Sequence, residues 1–248
     1  MAAFVRDAPT VGGGVGGGCS RADVDGVPVF VKRVPITDRE LADPYTTANL
    51  FDLPAAIRAR FDALVTATAS LALFFEHLPN ELPRWLSDPI GRAAMVERQL
   101  FEVVAFLRHR EILHLDGHFG NIRADDDRLY LADFGLATSP RFDLSDAERD
   151  FARRNADHDA DYAAMRLVNW LVASVCGVPV PTKGDSVARN LFVQGCATGD
   201  IPPDVPAHNA EIIARHAPAA ARMNEFCCRL FDGDLHAAYP GKPCPRAP

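Results

Sequence analysis

His114-Leu115-Asp116-Gly117-His118-Phe119-Gly120-Asn121, followed twelve residues later by Asp133-Phe134-Gly135, is the stretch that decides the fold. It holds four chemically capable side chains in eight residues. One reading is a metal site, because His114, Asp116 and His118 alternate and would share a face of an extended strand. Gly117 and Gly120 argue for a loop instead, and no further His/Cys cluster lies nearby in sequence. The other reading is phosphoryl transfer. That chemistry needs positioned cations and a group that orients the attacking hydroxyl, rather than a protein nucleophile. Asp116 would orient the hydroxyl. Asn121 and Asp133 offer the hard oxygen ligands that magnesium prefers. Each piece alone is common. Their order and spacing, after a glycine turn and a strand lysine, make the second reading specific.

Upstream, residues 12–18 read Gly-Gly-Gly-Val-Gly-Gly-Gly. Gly12-x-Gly14-x-x-Gly17 has dinucleotide-loop spacing, but a strand rather than a helix is expected to follow. Gly13-x4-Gly18 has P-loop spacing, but Cys19 stands where the phosphate-binding lysine belongs. Both are rejected. What remains is either a flexible linker or a β-turn-β flap whose bare backbone approaches phosphates. Asp25-Gly26 between β-type runs marks a hairpin. Its second strand covers residues 29–34, with Lys32 inside it, fourteen residues after Gly18.

Further along, residues 54–70 read as a helix with Ile57, Phe61 and Leu64 on one stripe. Residues 71–75 read as a short buried strand, and a short helix surrounds Trp85. Residues 92–110 form the clearest helix, with Val96, Leu100, Val103, Val104 and Leu107 at helical spacing. A strand over residues 129–132 follows the turn at residues 125–127. Beyond Arg141 the chain reads as helical, notably over residues 160–175 and 209–231. The proline-rich residues 239–248 are expected to fray. A small β-rich front piece and a larger helical piece suggest two lobes.

Composition limits the partners. The 248 residues carry 26 Lys+Arg against 33 Asp+Glu, a formal charge of −7, with 48% apolar and 24% charged residues. That is an ordinary globular balance. Its acidity argues against nucleic acid or an anionic membrane as main partner. None of the six cysteines forms a C-x-x-C pair, so no zinc or disulfide framework is visible. No stretch is long and apolar enough to span a bilayer, and residues 1–10 lack a secretory apolar core. A reducing cytoplasm is expected.

With these motifs in hand, the chain resembles the protein-kinase-like superfamily, on the glycine run, Val29-Phe30-Val31-Lys32, His114-x-Asp116-x4-Asn121 and Asp133-Phe134-Gly135. More narrowly it is similar to bacterial protein kinase-like proteins, in residues 28–35, 47–51 and 132–146. The resemblance implies an α+β, bilobal fold with a reduced β-rich N-terminal lobe (residues 1–76) and a larger helical C-terminal lobe (residues 77–238). It also implies an ATP- and Mg2+-dependent phosphotransferase acting on a hydroxyl of a protein Ser/Thr. Lys32 would hold the α- and β-phosphates under a flap formed by Gly14, Gly16, Gly17 and Gly18. The backbone of Glu76, His77 and Leu78 would face adenine. Asp116 would be the catalytic aspartate, Asn121 and Asp133 the magnesium ligands, and His118 would contact the γ-phosphate.

The chain departs from the family in four places. Leu115 replaces the arginine of regulated kinases, so switching by loop phosphorylation is not expected. No Ala-Pro-Glu follows Gly135. The helix at residues 54–70 has no glutamate to pair with Lys32, leaving Glu40 and Asp62 as substitutes. The region near residues 52–55 looks like a deletion in the front lobe. His118 and the missing Ala-Pro-Glu favour a small-molecule kinase of the aminoglycoside or choline type. The absent glutamate favours a non-catalytic nucleotide-binding scaffold. Arg141, Arg149, Arg153 and Arg154 read as a solvated face, Trp170 and Cys227-Cys228 as packing, and His208, His216 and His236 as surface residues.

Overall fold

A computed structural model describes residues 10–14, 17–36, 66–125, 127–181, 186–234 and 237–240. The chain is α+β and divides into two compact units, Met1–Leu78 and Pro79–Pro248.

In the first unit, β1 (Thr10–Gly14), β2 (Gly17–Val24), β3 (Val27–Ile36) and β4 (Ala69–Glu76) form a sheet in that order. Three antiparallel pairings join them. Asp25 and Gly26 take φ of 54° and 81°, the doubly left-handed conformation of a tight hairpin turn. Gly26 N–H also donates to Asp23 Oδ1 at 2.7 Å. The turn fixes the register, so Lys32 lies between Cys19 on β2 and Leu73 on β4. The described glycines of the run fall on two paired strands, with Gly14 opposite Gly17 and Gly13 opposite Gly18.

Two expectations need correction here. Residues 69 and 70 belong to β4, so the helix expected over residues 54–70 does not reach Ser70; residues 54–65 lie outside the described residues. Moreover, β4 is not buried, since Leu71, Phe74 and Phe75 are all exposed. An apolar run with no alternation puts hydrophobic groups on both faces. Val31 on β3 is fully buried.

In the second unit, β5 (Asn80–Glu81), β6 (Ile122–Asp125) and β7 (Arg128–Leu131) make a small antiparallel sheet. The helices are α1 (Leu82–Trp85), α2 (Pro89–His109), α3 (Asp146–Arg154), α4 (His158–Ser174), α5 (Val187–Ala197) and α6 (Ala207–Phe231). The α2 helix starts where Asp88 accepts from Gly91 N–H at 3.0 Å, with proline in its first turn. Ala93, Val96, Leu100 and Leu107 form its buried stripe. Gln99 on α2 accepts from Leu129 N–H at 2.8 Å and donates to Asp127 C=O, which pins the β6–β7 hairpin to the helix.

The centre is α4, in which nine residues from Asp161 to Val172 are buried. A helix apolar on nearly all sides lies inside rather than on a surface. It packs on α2, α5 and α6. Across the α4–α6 contact, Asn169 and Asn224 exchange amide hydrogen bonds at 2.9 and 3.1 Å, so this buried polar pair is satisfied.

Two further corrections concern aromatic and histidine residues. His216 is not a surface residue. It is mostly buried, 2.7 Å from Glu97 and stacked on Phe101 at 4.5 Å. Tyr239, expected in a frayed tail, donates to Asp161 Oδ2 at 2.8 Å and packs edge-on against His158 and Phe226. Residues 241–248 and His236 lie outside the described residues.

Truncating a fully buried α4 side chain should show that this helix carries the second unit. Leu167→Ala is expected to lower unfolding free energy by about 2–5 kcal/mol, measured by urea denaturation of the whole chain.

Candidate functional site

Residues 114–121 form a loop between α2 and β6, tied down at several points. Leu113 and Thr138 exchange two backbone hydrogen bonds at 2.8 and 2.9 Å, pairing the loop's entrance with the segment after Asp133-Phe134-Gly135. At its exit, Asn121 C=O accepts from Ala132 N–H at 2.8 Å. The loop is therefore fixed to the residue immediately before Asp133.

His114 is 1% exposed. Its Nε2 faces Ala132 C=O at 3.0 Å, its Nδ1 accepts from Asp116 N–H at 3.3 Å, and its ring meets Phe134 edge-on at 4.7 Å. An acceptor Nδ1 leaves the proton on Nε2, where the carbonyl takes it. With both ring nitrogens engaged, His114 does not join Asp116 and His118 as a metal ligand. Among the described residues no group of three His, Cys, Asp or Glu is placed to hold a metal.

The loop's strongest anchor is Asp159, on the first turn of α4. Its Oδ2 accepts from His114 N–H at 2.6 Å and its Oδ1 from Leu115 N–H at 2.9 Å. Burial alone would raise this carboxyl's pKa. Hydrogen bonds from His158 and from the two amides outweigh it and hold the pKa below the ordinary value. Leu115 and Asp133 both take left-handed backbone, φ of 64° and 57°. Such conformations cost about 1–3 kcal/mol each and persist only where the surroundings impose them.

Asp116, Asn121 and His118 come together. Asn121 Nδ2 donates to Asp116 Oδ2 at 3.0 Å and to Asp116 C=O at 2.9 Å. This fixes the amide orientation, with Nδ2 turned to Asp116 and Oδ1 as the acceptor on the other side. His118 Nδ1 accepts from Gly120 N–H at 3.0 Å, while its Nε2 lies 3.8 Å from Asp116 Oδ1. A Cβ on Gly120 would stand 2.9 Å from the His118 ring, so glycine is what lets the imidazole fold back. Asp133 opens a 3₁₀ turn over Phe134–Leu136, with its exposed side chain not used to cap that turn.

The remaining expected residues lie in the first unit. Gly14 ends β1, and Gly17 and Gly18 open β2, in the paired stretch of the two strands. Lys32 is half-buried on β3, Glu76 ends β4, and Leu78 follows two residues later. Gly16, Glu40 and Asp62 lie outside the described residues.

Arg141 pairs with Glu111 and Arg149 with Asp146, and Arg153 and Arg154 both pair with Asp150. Glu148 closes a capping box with Ser145 rather than pairing with arginine. The five described cysteines are free thiols. No helix among the described residues is long and apolar enough to cross a membrane.

Sequence reasoning missed Asp159. Its signal was an aspartate in the first turn of a helix, which ordinarily reads as a partner for the helix dipole.

No protein-family model matches the chain. One curated relative, CTD kinase subunit alpha of Schizosaccharomyces pombe (strain 972 / ATCC 24843), is 28% identical over 141 residues. The match takes in 53% of this chain but 23% of the relative, so the chain spans under a quarter of that protein's length. The α+β organisation and this match both fit a kinase-like chain.

Asp159→Asn tests the anchor through acid stability. A carboxyl with lowered folded-state pKa contributes stability that is complete above its unfolded value and is lost as pH falls through the folded value. The stability gap between wild type and Asp159→Asn should be full above about pH 5 and shrink below about pH 4. Urea midpoints at a series of pH values measure it; a gap independent of pH would contradict the anchor.

Proposed function

We propose that the chain is an ATP-dependent phosphotransferase of the protein-kinase-like kind, akin to bacterial kinase-like proteins, acting on a hydroxyl of a protein Ser/Thr. The observation that carries this is the loop at residues 114–121. It presents Asp116 and Asn121 joined by a hydrogen bond, beside a left-handed Asp133, all fixed to α4 through Asp159. The match to a protein named as a kinase subunit supports it.

In this reading Asp116 accepts or orients the acceptor's hydroxyl proton. Asn121 holds Asp116 in one rotamer with Nδ2 and would offer Oδ1 to a cation. Asn121 and Asp133 would hold magnesium, which supplies charge neutralisation at the transferring phosphates. The donor set fits. Magnesium at such sites takes one or two protein oxygens and completes its shell with phosphates and water, so no three-ligand protein cluster is needed. Lys32 and the glycine hairpin would hold the triphosphate, and the backbone of residues 76–78 would receive adenine. His118 Nε2 carries the ring proton, because Nδ1 accepts from Gly120, so it is a donor towards the γ-phosphate. That donor is also the one specific observation favouring the second reading, a small-molecule kinase on the same scaffold.

Phosphate transfer from ATP to a mixed Ser/Thr peptide pool, with magnesium, tests the proposal. Asp133→Ala is expected to abolish transfer while leaving the urea midpoint near wild type, because the side chain is exposed. Wild-type turnover in that variant would sink the assignment. The ATP affinity of Lys32→Ala reads how firmly the lysine is aimed: a loss under about tenfold, or 1.4 kcal/mol, shows a loosely aimed lysine, and a larger loss a well-aimed one.

A further inference from the structure

After α6 the chain turns back on itself. Asp232 caps the helix and Gly233 takes a φ of 95°. The N–H groups of Gly233 and Asp234 donate to the C=O groups of Leu230 and Arg229 at 3.1 and 2.9 Å. This is a Schellman ending, in which a left-handed glycine reverses the chain. Arg229 then holds the Asp234 carboxylate at 2.6 Å, and Ala237 N–H donates to Asp234 C=O at 3.0 Å. The turn brings Tyr239 to the first turn of α4.

There Tyr239 makes three contacts. Its hydroxyl donates to Asp161 Oδ2 at 2.8 Å, and its ring meets Phe226 and His158 edge-on, with centroids 5.7 and 5.6 Å apart. Asp161 is buried, and Arg222 Nη2 donates to the same oxygen at 3.2 Å. Burial and the hydrogen bond to Asp161 push the Tyr239 phenol's pKa up, so the hydroxyl keeps its proton as a donor.

His158 is the junction between this tail and the loop. Its side chain is mostly buried, and its ring stacks on Tyr162 with centroids 5.6 Å apart. Flanked by Tyr162 and Tyr239, the imidazole is confined to one orientation, with Nδ1 3.3 Å from Asp159 Oδ1. A carboxylate oxygen only accepts, so Nδ1 carries the proton. The same Oδ1 accepts from Leu115 N–H at 2.9 Å, and Oδ2 accepts from His114 N–H at 2.6 Å. Contacts between immediate neighbours thus run from Tyr239 through His158 and Asp159 to the loop's backbone. Without Tyr239 one flank of His158 opens and the ring can turn, leaving Asp159 to hold both amides without its side-chain donor.

We infer that Tyr239 is a positioning residue for the loop at residues 114–121, acting through His158 on Asp159, so that seating of residues 237–240 sets how firmly Asp116 and Asn121 are held. Its consequence for transfer rests on the phosphotransferase reading. The coupling itself does not, and it is measured without nucleotide or magnesium. A tyrosine that only stabilised the helical unit would loosen loop and core alike, and its effect would not depend on His158.

Amide hydrogen exchange of the whole chain, followed by NMR, reads the coupling at the His114 and Leu115 N–H groups, with Leu171 and Ile212 in the core as reference. Tyr239→Ala should speed exchange at both loop amides about tenfold and leave the reference amides at their wild-type rates. Tyr239→Phe keeps the ring but loses the donor, and should fall between. His158→Ala should reproduce the loop effect, and adding Tyr239→Ala to it should change the loop no further, because the route is already cut. Additive effects, unmoved loop amides in Tyr239→Ala, or equal acceleration of loop and core would each overturn the inference. If the alanine variant does not fold, the phenylalanine variant decides alone, and wild-type loop exchange in it overturns the inference. In the transfer assay Tyr239→Phe should lower kcat with the KM for ATP unchanged; a raised KM with unchanged kcat would overturn the positioning role. Absence of transfer in the wild type sinks the phosphotransferase reading, and the exchange result still decides the coupling.

Discussion

The carboxylate of Asp159, accepting from two consecutive backbone amides of the loop, is the constraint on which the candidate site depends. Its position comes from α4, whose buried faces lock it between α2, α5 and α6. From that fixed point, the amides of His114 and Leu115 are held at 2.6 and 2.9 Å. Hydrogen bonds to a charged acceptor contribute about 1.5–3 kcal/mol each. That is enough to offset the left-handed backbone of Leu115, which costs about 1–3 kcal/mol. Once the backbone turns there, His114 points inward to Ala132 and Phe134, and Asp116 points towards Asn121. The core thus sets the geometry of polar groups that lie outside it.

Three acidic residues at the start of α4 show how a local pattern divides into separate roles. Asp157 pairs with Arg108 at 3.0 Å. Asp159 holds the loop. Asp161, 3% exposed, receives Arg222 and Tyr239 and so clasps the chain's last described residues to the core. In sequence the three are alike, each suited to the positive end of a helix dipole. Only the tertiary partners, 44 to 78 residues away, distinguish Asp159 and Asp161.

This explains what was legible and what was not. The Asp25-Gly26 turn, the Lys32 strand and the long helices follow from local chemistry, because turn residues and apolar periodicity act over a few positions. The grouping of Asp116, His118 and Asn121 was legible because it lies within one loop. The two-residue β5 strand was not, since it exists only through pairing with β6. The exposure of Phe74 and Phe75, the burial of His216 beside Glu97, and the anchoring of Tyr239 likewise depend on neighbours distant in sequence.

The central claim is that this loop serves phosphoryl transfer, so nucleotide binding with and without magnesium tests it most directly. A calorimetric titration of ATP into the whole chain should give saturable binding with magnesium present and a marked loss of affinity when the metal is chelated. The coupling should disappear in a variant carrying both Asn121→Ala and Asp133→Ala. Absence of ATP binding in magnesium, or binding indifferent to the metal, would contradict the account.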